Sequence, residues 1–218
     1  MDSVVRGFSL IQYCISRLFM IKYIRIQRKD VLCMIHKGTI TLVTQRLILR
    51  QAVEADTVPM YQNWAADPEV TQFLTWPTHA SVDITRKVLQ SWIAEYQNEK
   101  SYQWMIELKD LREPIGSIGV VALDEDAGSA EIGYCIGKQW WHQGITSEAL
   151  SAVIDFLFRE VGCLRIVARH DPRNIHSGAV MQKCGMRYSH TTYRSDRNNQ
   201  GICDTACYVL HLSDWEQF

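Results

Sequence analysis

The sequence predicts an α+β fold: a mixed, mostly antiparallel sheet of six to seven strands, flanked by about four helices, within residues 44–215. Three observations carry this prediction. Three strand-like runs, 102–108, 114–123 and 130–136, follow one another with only turn signals between them, which is the pattern of an antiparallel meander. A strand-helix-strand succession comes next and requires one parallel pair inside the same sheet. Two stretches ahead of the meander carry apolar residues at helical spacing.

The elements follow in order. Gln45 to Arg50, QRLILR, alternates as a first strand, and Val53 to Ala66 has helical apolar spacing ended by Asp67-Pro68. A loop with Phe73, Leu74, Trp76 and Pro77 leads to a second helix, Ser81 to Asn98. In it Val82, Ile84, Val88, Leu89, Trp92, Ile93 and Tyr96 recur on one face, with Ser81 as N-cap. Lys109-Asp110 and Asp124 to Gly128 supply the turns of the meander. Trp140 to Ile145 is a short loop with one glycine, and Thr146 to Glu160 a strongly apolar helix. Cys163 to Arg169 is a strand, and Asn174 to Lys183 a short helix closed by Cys184-Gly185. Two last strands fall near 186–193 and 206–211.

The bulk composition, 47% hydrophobic and 22% charged over 218 residues, is that of a globular protein able to bury a core. The net charge of -1 conceals a break. Residues 1–33 carry +4, and residues 34–218 carry -5. A body of that sign gives no electrostatic case for nucleic acid. The seven cysteines are odd in number, and Cys203 and Cys207, four apart, have no His or Cys pair to complete a metal set. The expectation is free thiols, no metal and a cytoplasmic location.

Residues 1–43 read as an N-terminal extension, basic and apolar, outside the domain of residues 44–215. Within it, 8–26 is apolar but interrupted by Arg17, Lys22 and Arg25, short of the roughly 20 residues a membrane span needs. No small-residue cleavage site follows an apolar core. Three readings stay open for residues 1–33: a basic segment on a membrane surface, a helix docked on the body, or a true start downstream at Met34.

The stretch Ala130 to Leu150, AEIGYCIGKQWWHQGITSEAL, carries the most chemistry. A strand runs into a tight turn at Gly144 and a helix starts at once. Such a start leaves backbone N-H groups unpaired and adds the positive end of the helix dipole, so it suits a phosphate or pyrophosphate. By itself one glycine also fits an ordinary strand-to-helix turn.

The surrounding residues resemble the coenzyme-A-binding motif of the GNAT superfamily of N-acetyltransferases, most closely its ribosomal-protein N-terminal (alanine/serine) acetyltransferase branch. That branch has E-I-G-Y followed by W-G-K-G-Y-A-T-E-A. Here the places read Glu131-Ile132-Gly133-Tyr134 and Trp141-His142-Gln143-Gly144-Ile145-Thr146-Ser147-Glu148-Ala149. Arg46 to Arg50 resembles the family's opening strand, and Asp67-Pro68-Glu69-Val70 with Trp76-Pro77 its acceptor-side loop. Asn174-Ile175-His176-Ser177 followed by Lys183-Cys184-Gly185-Met186 resembles its N-x-x-S…K-x-G-F segment. The resemblance spans nearly all of 44–215. It implies a splayed parallel strand pair that holds the coenzyme, with acetyl-CoA as acetyl-donating cosubstrate. Three departures stand out: the family's basic loop residue is Gln143, its first loop glycine is His142, and the tyrosine that many members carry on the short helix is Met181.

The resemblance implies roles. Trp141, His142, Gln143, Gly144, Ile145 and Thr146 would receive the pyrophosphate, mainly through backbone amides. Tyr134, Cys135 and Ile136 would pair their backbone with pantetheine and polarise the thioester carbonyl. Asn174 would bind pantetheine amides or cap its helix, and Ser177 would face the coenzyme sulfur and protonate the leaving thiolate. Glu131 is the candidate general base, or else a solvent-facing strand carboxylate. Trp76 and Trp104 are candidates for the acceptor cleft. Direct attack by an amine needs no enzyme nucleophile, so the cysteines need not act. A chain-terminal amine with pKa about 8 is roughly a tenth neutral at pH 7, whereas an amine near 10.4 is neutral only at a few parts in ten thousand. The expected acceptor is therefore a protein or peptide N-terminus. A small-molecule amine (antibiotic, polyamine or amino acid) and a non-catalytic acyl-CoA-binding regulator are the alternatives. The expected state is a monomer or homodimer with no membrane partner.

Overall fold

The computed structural model describes residues 34–217; the expectations for residues 1–33 lie outside the described residues. Strands β1 (Leu42–Val43) and β2 (Leu47–Arg50) open the sheet. Helix α1 (Thr57–Met60) lies between a 3-10 turn, Glu54–Asp56, and a π turn, Tyr61–Ala65. Helix α2 (Pro68–Thr71) is short and starts on the Asp67 carboxylate, which accepts from Glu69 N at 2.8 Å. Helix α3 (Val82–Glu95) leads into β3 (Gln103–Leu108), β4 (Glu113–Asp124) and β5 (Ser129–Ile136). Helix α4 (Ile145–Phe156) continues as a π turn, Leu157–Val161. After it come β6 (Arg165–His170), α5 (Ile175–Lys183), β7 (Arg187–Asn198), β8 (Gly201–His211) and α6 (Leu212–Trp215).

The strands form one sheet in the order β1-β2-β3-β4-β5-β6-β8-β7. Every neighbouring pair is antiparallel except β5 and β6. That parallel pair holds register at Ser129↔Arg165, Ala130↔Ile166 and Glu131↔Val167 and no further. Both strands continue, β5 to Ile136 and β6 to His170, so the pair splays and leaves backbone on β5 for another partner.

Alternation along β5 sorts its side chains onto two cores. Ala130, Ile132 and Ile136 join the apolar face of α4, with Ala149, Leu150, Val153 and Phe156. Cys135 points the other way, into a smaller core with Met60, Trp64, Leu89 and Met105.

Three expectations need correction. The strands number eight, because Leu42 and Val43 pair with Leu49 and Ile48, and a two-residue strand has no period to read. These residues are also not an extension outside the domain. The compact unit begins at Met34, whose side chain is buried in the larger core, and Thr39 Oγ1 donates to Ser101 O at 2.9 Å. The last two strands are longer than their apolar residues suggest. They form a hairpin through Asn198↔Gly201, with a register shift between Thr192 and Asp196. Arg194 to Arg197 show no apolar alternation because they are exposed.

Candidate active site

The β5/β6 splay opens onto a cavity of about 550 Å³, bounded by the end of β5, the loop and first turn of α4, the start of α5 and the α2 loop. At one end lies the glycine turn. Gly144 is the N-cap of α4 with φ 72°, a left-handed conformation that glycine adopts without strain. Glu148 N is the first amide of α4 to bond back, to Gly144 O at 3.1 Å, so the amides ahead of it stay available at the cavity. His142 takes φ 59° where the resemblance implied glycine, so the loop keeps its left-handed turn with a histidine in place. Its ring lies edge-on to His176, with centroids 4.5 Å apart, and both line the cavity.

The loop is pinned from outside. Arg46 Nη1 donates to Gln143 O at 2.9 Å and its Nε to Glu148 Oε2 at 2.7 Å. Glu148 Oε1 accepts from Thr44 Oγ1 at 2.6 Å and Arg46 N at 2.8 Å. Burial pushes the Glu148 carboxyl up, but these hydrogen bonds outweigh it and hold it below the usual range. The Gln143 side chain is turned to Gln139 O, at 2.9 Å, and Gln143 is absent from the cavity lining. A cation is nonetheless present. Lys183, at the end of α5, lines the cavity, and its Nζ stands 3.4 Å from where a Cβ on Gly144 would project.

In the middle, Tyr134, Cys135, Ile136, Asn174 and Ser177 all line the cavity, as do Trp141, Ile145 and Thr146. Trp141 Nε1 donates to Ile136 O at 3.0 Å. The Asn174 carboxamide caps α5, accepting from Ser177 N at 3.3 Å. Tyr134 reaches across from β5, its hydroxyl 2.9 Å from Ser177 O and 3.1 Å from Ser177 Oγ. Met181 is buried in the larger core, outside the cavity lining. Burial pushes the Cys135 thiol up to about 12, so it is no thiolate at neutral pH and is a poor acyl carrier.

The far end lies at the α2 loop. Phe73 and Leu74 reach the cavity from the α2 loop. Glu69 also lines it and is paired with Lys138 at 2.6 Å. Arg173 lies over the Phe73 ring, 5.8 Å from its centroid, and is bound to Asp171. Arg173 holds the Asp171 carboxyl down at about 2 against the upward push of burial. Asp171 also accepts from Asn198 Nδ2 at 2.7 Å, at the tip of the β7-β8 hairpin. Next to it, Asn199 Nδ2 donates to Thr71 O at 2.8 Å and Trp76 O at 2.9 Å, which ties the hairpin to the acceptor loop.

Besides Gln143, three sequence-predicted residues fall outside the cavity lining. Trp104 is fully buried among Tyr102 and Phe156, its Nε1 donating to Ile40 O at 2.7 Å; it is core, because its strand position faces α4. Trp76 packs on His79, centroids 5.3 Å apart, and supports the loop through its carbonyl while Phe73 and Leu74 face the cavity. Glu131 sits where β5 and β6 are still paired, and Arg169 binds both its oxygens at 2.8 Å. It is four residues from Cys135, about 13 Å along the strand, and does not line the cavity. The sequence reading missed Lys183, Arg173 and Phe73. Lys183 and Phe73 lie inside motifs it had singled out, so their presence was legible and their aim was not.

This geometry is that of an acyl-coenzyme-dependent transferase, and the chain belongs to the GNAT acetyltransferase family: the acetyltransferase (GNAT) domain profile matches residues 46–187. It is an acyltransferase of the N-acetyltransferase type. The chain is 34% identical over 169 residues to the "uncharacterized N-acetyltransferase YoaA" of Bacillus subtilis (strain 168), covering 78% of this chain and 95% of that one. It is 30% identical over 169 residues to the ribosomal-protein-serine acetyltransferase of Escherichia coli (strain K12), covering 77% and 93%. Among solved structures it shares the fold of RimL, the ribosomal L7/L12 alpha-N-protein acetyltransferase in complex with coenzyme A. The TM-score is 0.71 at 24% identity, over 79% of this chain and 98% of that one.

Proposed function

We propose that the chain transfers acetyl from acetyl-CoA to the terminal amine of a protein or peptide, by direct attack of the amine on the thioester. The carrying observation is the continuous cavity from the glycine turn to the acceptor loop, with the Ser177 hydroxyl between them. In this reading the pyrophosphate rests on the amides after Gly144 beside Lys183, and pantetheine pairs with β5 where β6 has turned away. The Ser177 hydroxyl protonates the departing thiolate. Asn174 acts through the helix start it caps, and its amide nitrogen serves pantetheine.

The acceptor choice follows from the base problem. Among the described residues lining the cavity Glu69 is the only carboxylate, and Lys138 pairs with it. Glu131 is paired with Arg169 and set back along β5. Neither is placed to strip a proton from an amine of pKa near 10.4, whereas an amine near 8 needs little help. Glu131 then serves at most as a relay. The similarity to a ribosomal-protein-serine acetyltransferase points to the same acceptor class.

The test is acetyl-CoA turnover, read by free-thiol release, over peptides of varied first residue, lysine side chains, polyamines and aminoglycosides. Terminal amines are expected to lead. Polyamine or lysine turnover above every peptide would overturn the acceptor class, and no turnover with any amine would favour an acyl-CoA-binding regulator. With a terminal amine the rate should climb with pH toward about 8 and level off, as the neutral amine fills in. Glu131→Gln should cost about threefold at pH 7, and less above pH 8, where the relay is no longer needed.

A further inference from the structure

We propose that Tyr134 is a positioning residue for proton delivery, holding and polarising the Ser177 hydroxyl through the contact between the two side chains. The inference rests on Ser177 being the donor to the thiolate.

The Tyr134 hydroxyl has one proton and two partners, Ser177 O at 2.9 Å and Ser177 Oγ at 3.1 Å. A carbonyl oxygen only accepts. When Tyr134 donates to that carbonyl, the serine hydroxyl is left to donate to the tyrosine oxygen, and its proton points away from the reacting sulfur. When the serine proton turns toward sulfur, the tyrosine proton can swing from the carbonyl to Ser177 Oγ. The contact between the two hydroxyls therefore has two arrangements, and of these only the second leaves the serine proton free for sulfur. In that arrangement the hydrogen bond arriving at Oγ strengthens the one leaving it.

Tyr134 does not itself give up a proton. Burial pushes its phenol well above the usual tyrosine range, more than the Ser177 hydrogen bond brings it down, so a phenolate is disfavoured there. The reaction balances without one. The amine nitrogen bonds the acetyl carbon, the carbon-sulfur bond breaks, and sulfur takes the electron pair. The Ser177 proton passes to sulfur, and the proton shed by the acceptor nitrogen restores the serine through solvent. Tyr134 ends the cycle as it began.

The arrangement also accounts for Met181, which carries no proton and lies buried in the core. With no hydroxyl at that place on α5, a serine is the helix's donor. A serine hydroxyl is a weak acid that gains from a neighbour stabilising its oxygen as the proton departs.

The experiment is a double-mutant cycle on the full chain: Tyr134→Phe, Ser177→Ala and the pair, with kcat from thiol release and the acetyl-CoA Kd from calorimetry. Tyr134→Phe is expected to lower kcat about tenfold, the worth of one hydrogen bond made in the transition state, with Kd within about threefold. In the Ser177→Ala background it should cost nothing more. A Tyr134→Phe kcat equal to that of the unaltered chain would overturn the proposal. So would a tenfold loss persisting undiminished without Ser177, or a Kd that rises in step with the kcat loss. An unaffected Ser177→Ala would remove the reading of Ser177 beneath it, and the proposal with it. A lowered Ser177→Ala beside an unaffected Tyr134→Phe would overturn the tyrosine alone.

Discussion

The two ends of the cavity are built on different principles. At the glycine turn the cavity is faced mainly by backbone amides, held by the left-handed residues His142 and Gly144, pinned by Arg46 and Glu148 and joined by the Lys183 ammonium. At the α2-loop end it is faced by side chains, and the charged ones there are already paired: Glu69 with Lys138, and Arg173 with Asp171. A backbone site tolerates changed side chains so long as the chain path survives, which is how this loop carries histidine and glutamine in place of glycine and a base. A site made of paired side chains and a tethered loop changes its preference with single substitutions. In the proposed reading, one end serves a constant coenzyme and the other a particular acceptor.

Four substitutions would break or sharpen that contrast. Gly144→Val should be the most damaging, raising the acetyl-CoA Kd by about 100-fold or more in calorimetry. A β-branched residue is strained at φ 72°, and its side chain would project toward Lys183 Nζ. Ser177→Ala should lower kcat by about 10- to 100-fold while leaving acetyl-CoA binding within about twofold, since its proton matters when charge develops on sulfur. Lys183→Gln should raise the acetyl-CoA Kd about tenfold at low ionic strength, and the penalty should shrink in titrations at higher salt as the charge is screened. Asn199→Ala is the mildest. It should raise the acceptor KM about threefold in steady-state assays and leave the acetyl-CoA Kd alone. If it weakened acetyl-CoA instead, the two ends would not be separable.

The same contrast governs what was legible in the sequence. The meander, the apolar helix α4 and the parallel pair were readable because their periods are long and their burial one-sided. The glycine turn was readable because a backbone site needs a particular chain path, and glycine marks it. The acceptor end was not, because aim is decided by packing: of the two tryptophans expected there, Trp76 braces the loop and Trp104 fills the core, while Phe73 and Leu74 face the cavity instead. Glu131 was found by its motif but lies where the strands are still joined, and the motif alone does not show where the splay begins. The β7-β8 hairpin was cut short because Arg194 to Arg197 lie exposed and follow no apolar rhythm.

Burial of the Cys135 side chain has a consequence for endurance under oxidation. Each turnover of the proposed reaction frees a coenzyme thiol in the same cavity as this cysteine. Thiols and disulfides exchange through the thiolate, and a sulfhydryl pushed up to about 12 is almost wholly protonated at neutral pH. A disulfide or peroxide entering the cavity should therefore react with the coenzyme in preference to Cys135. The oxidised coenzyme can then diffuse away, and Cys135 is spared.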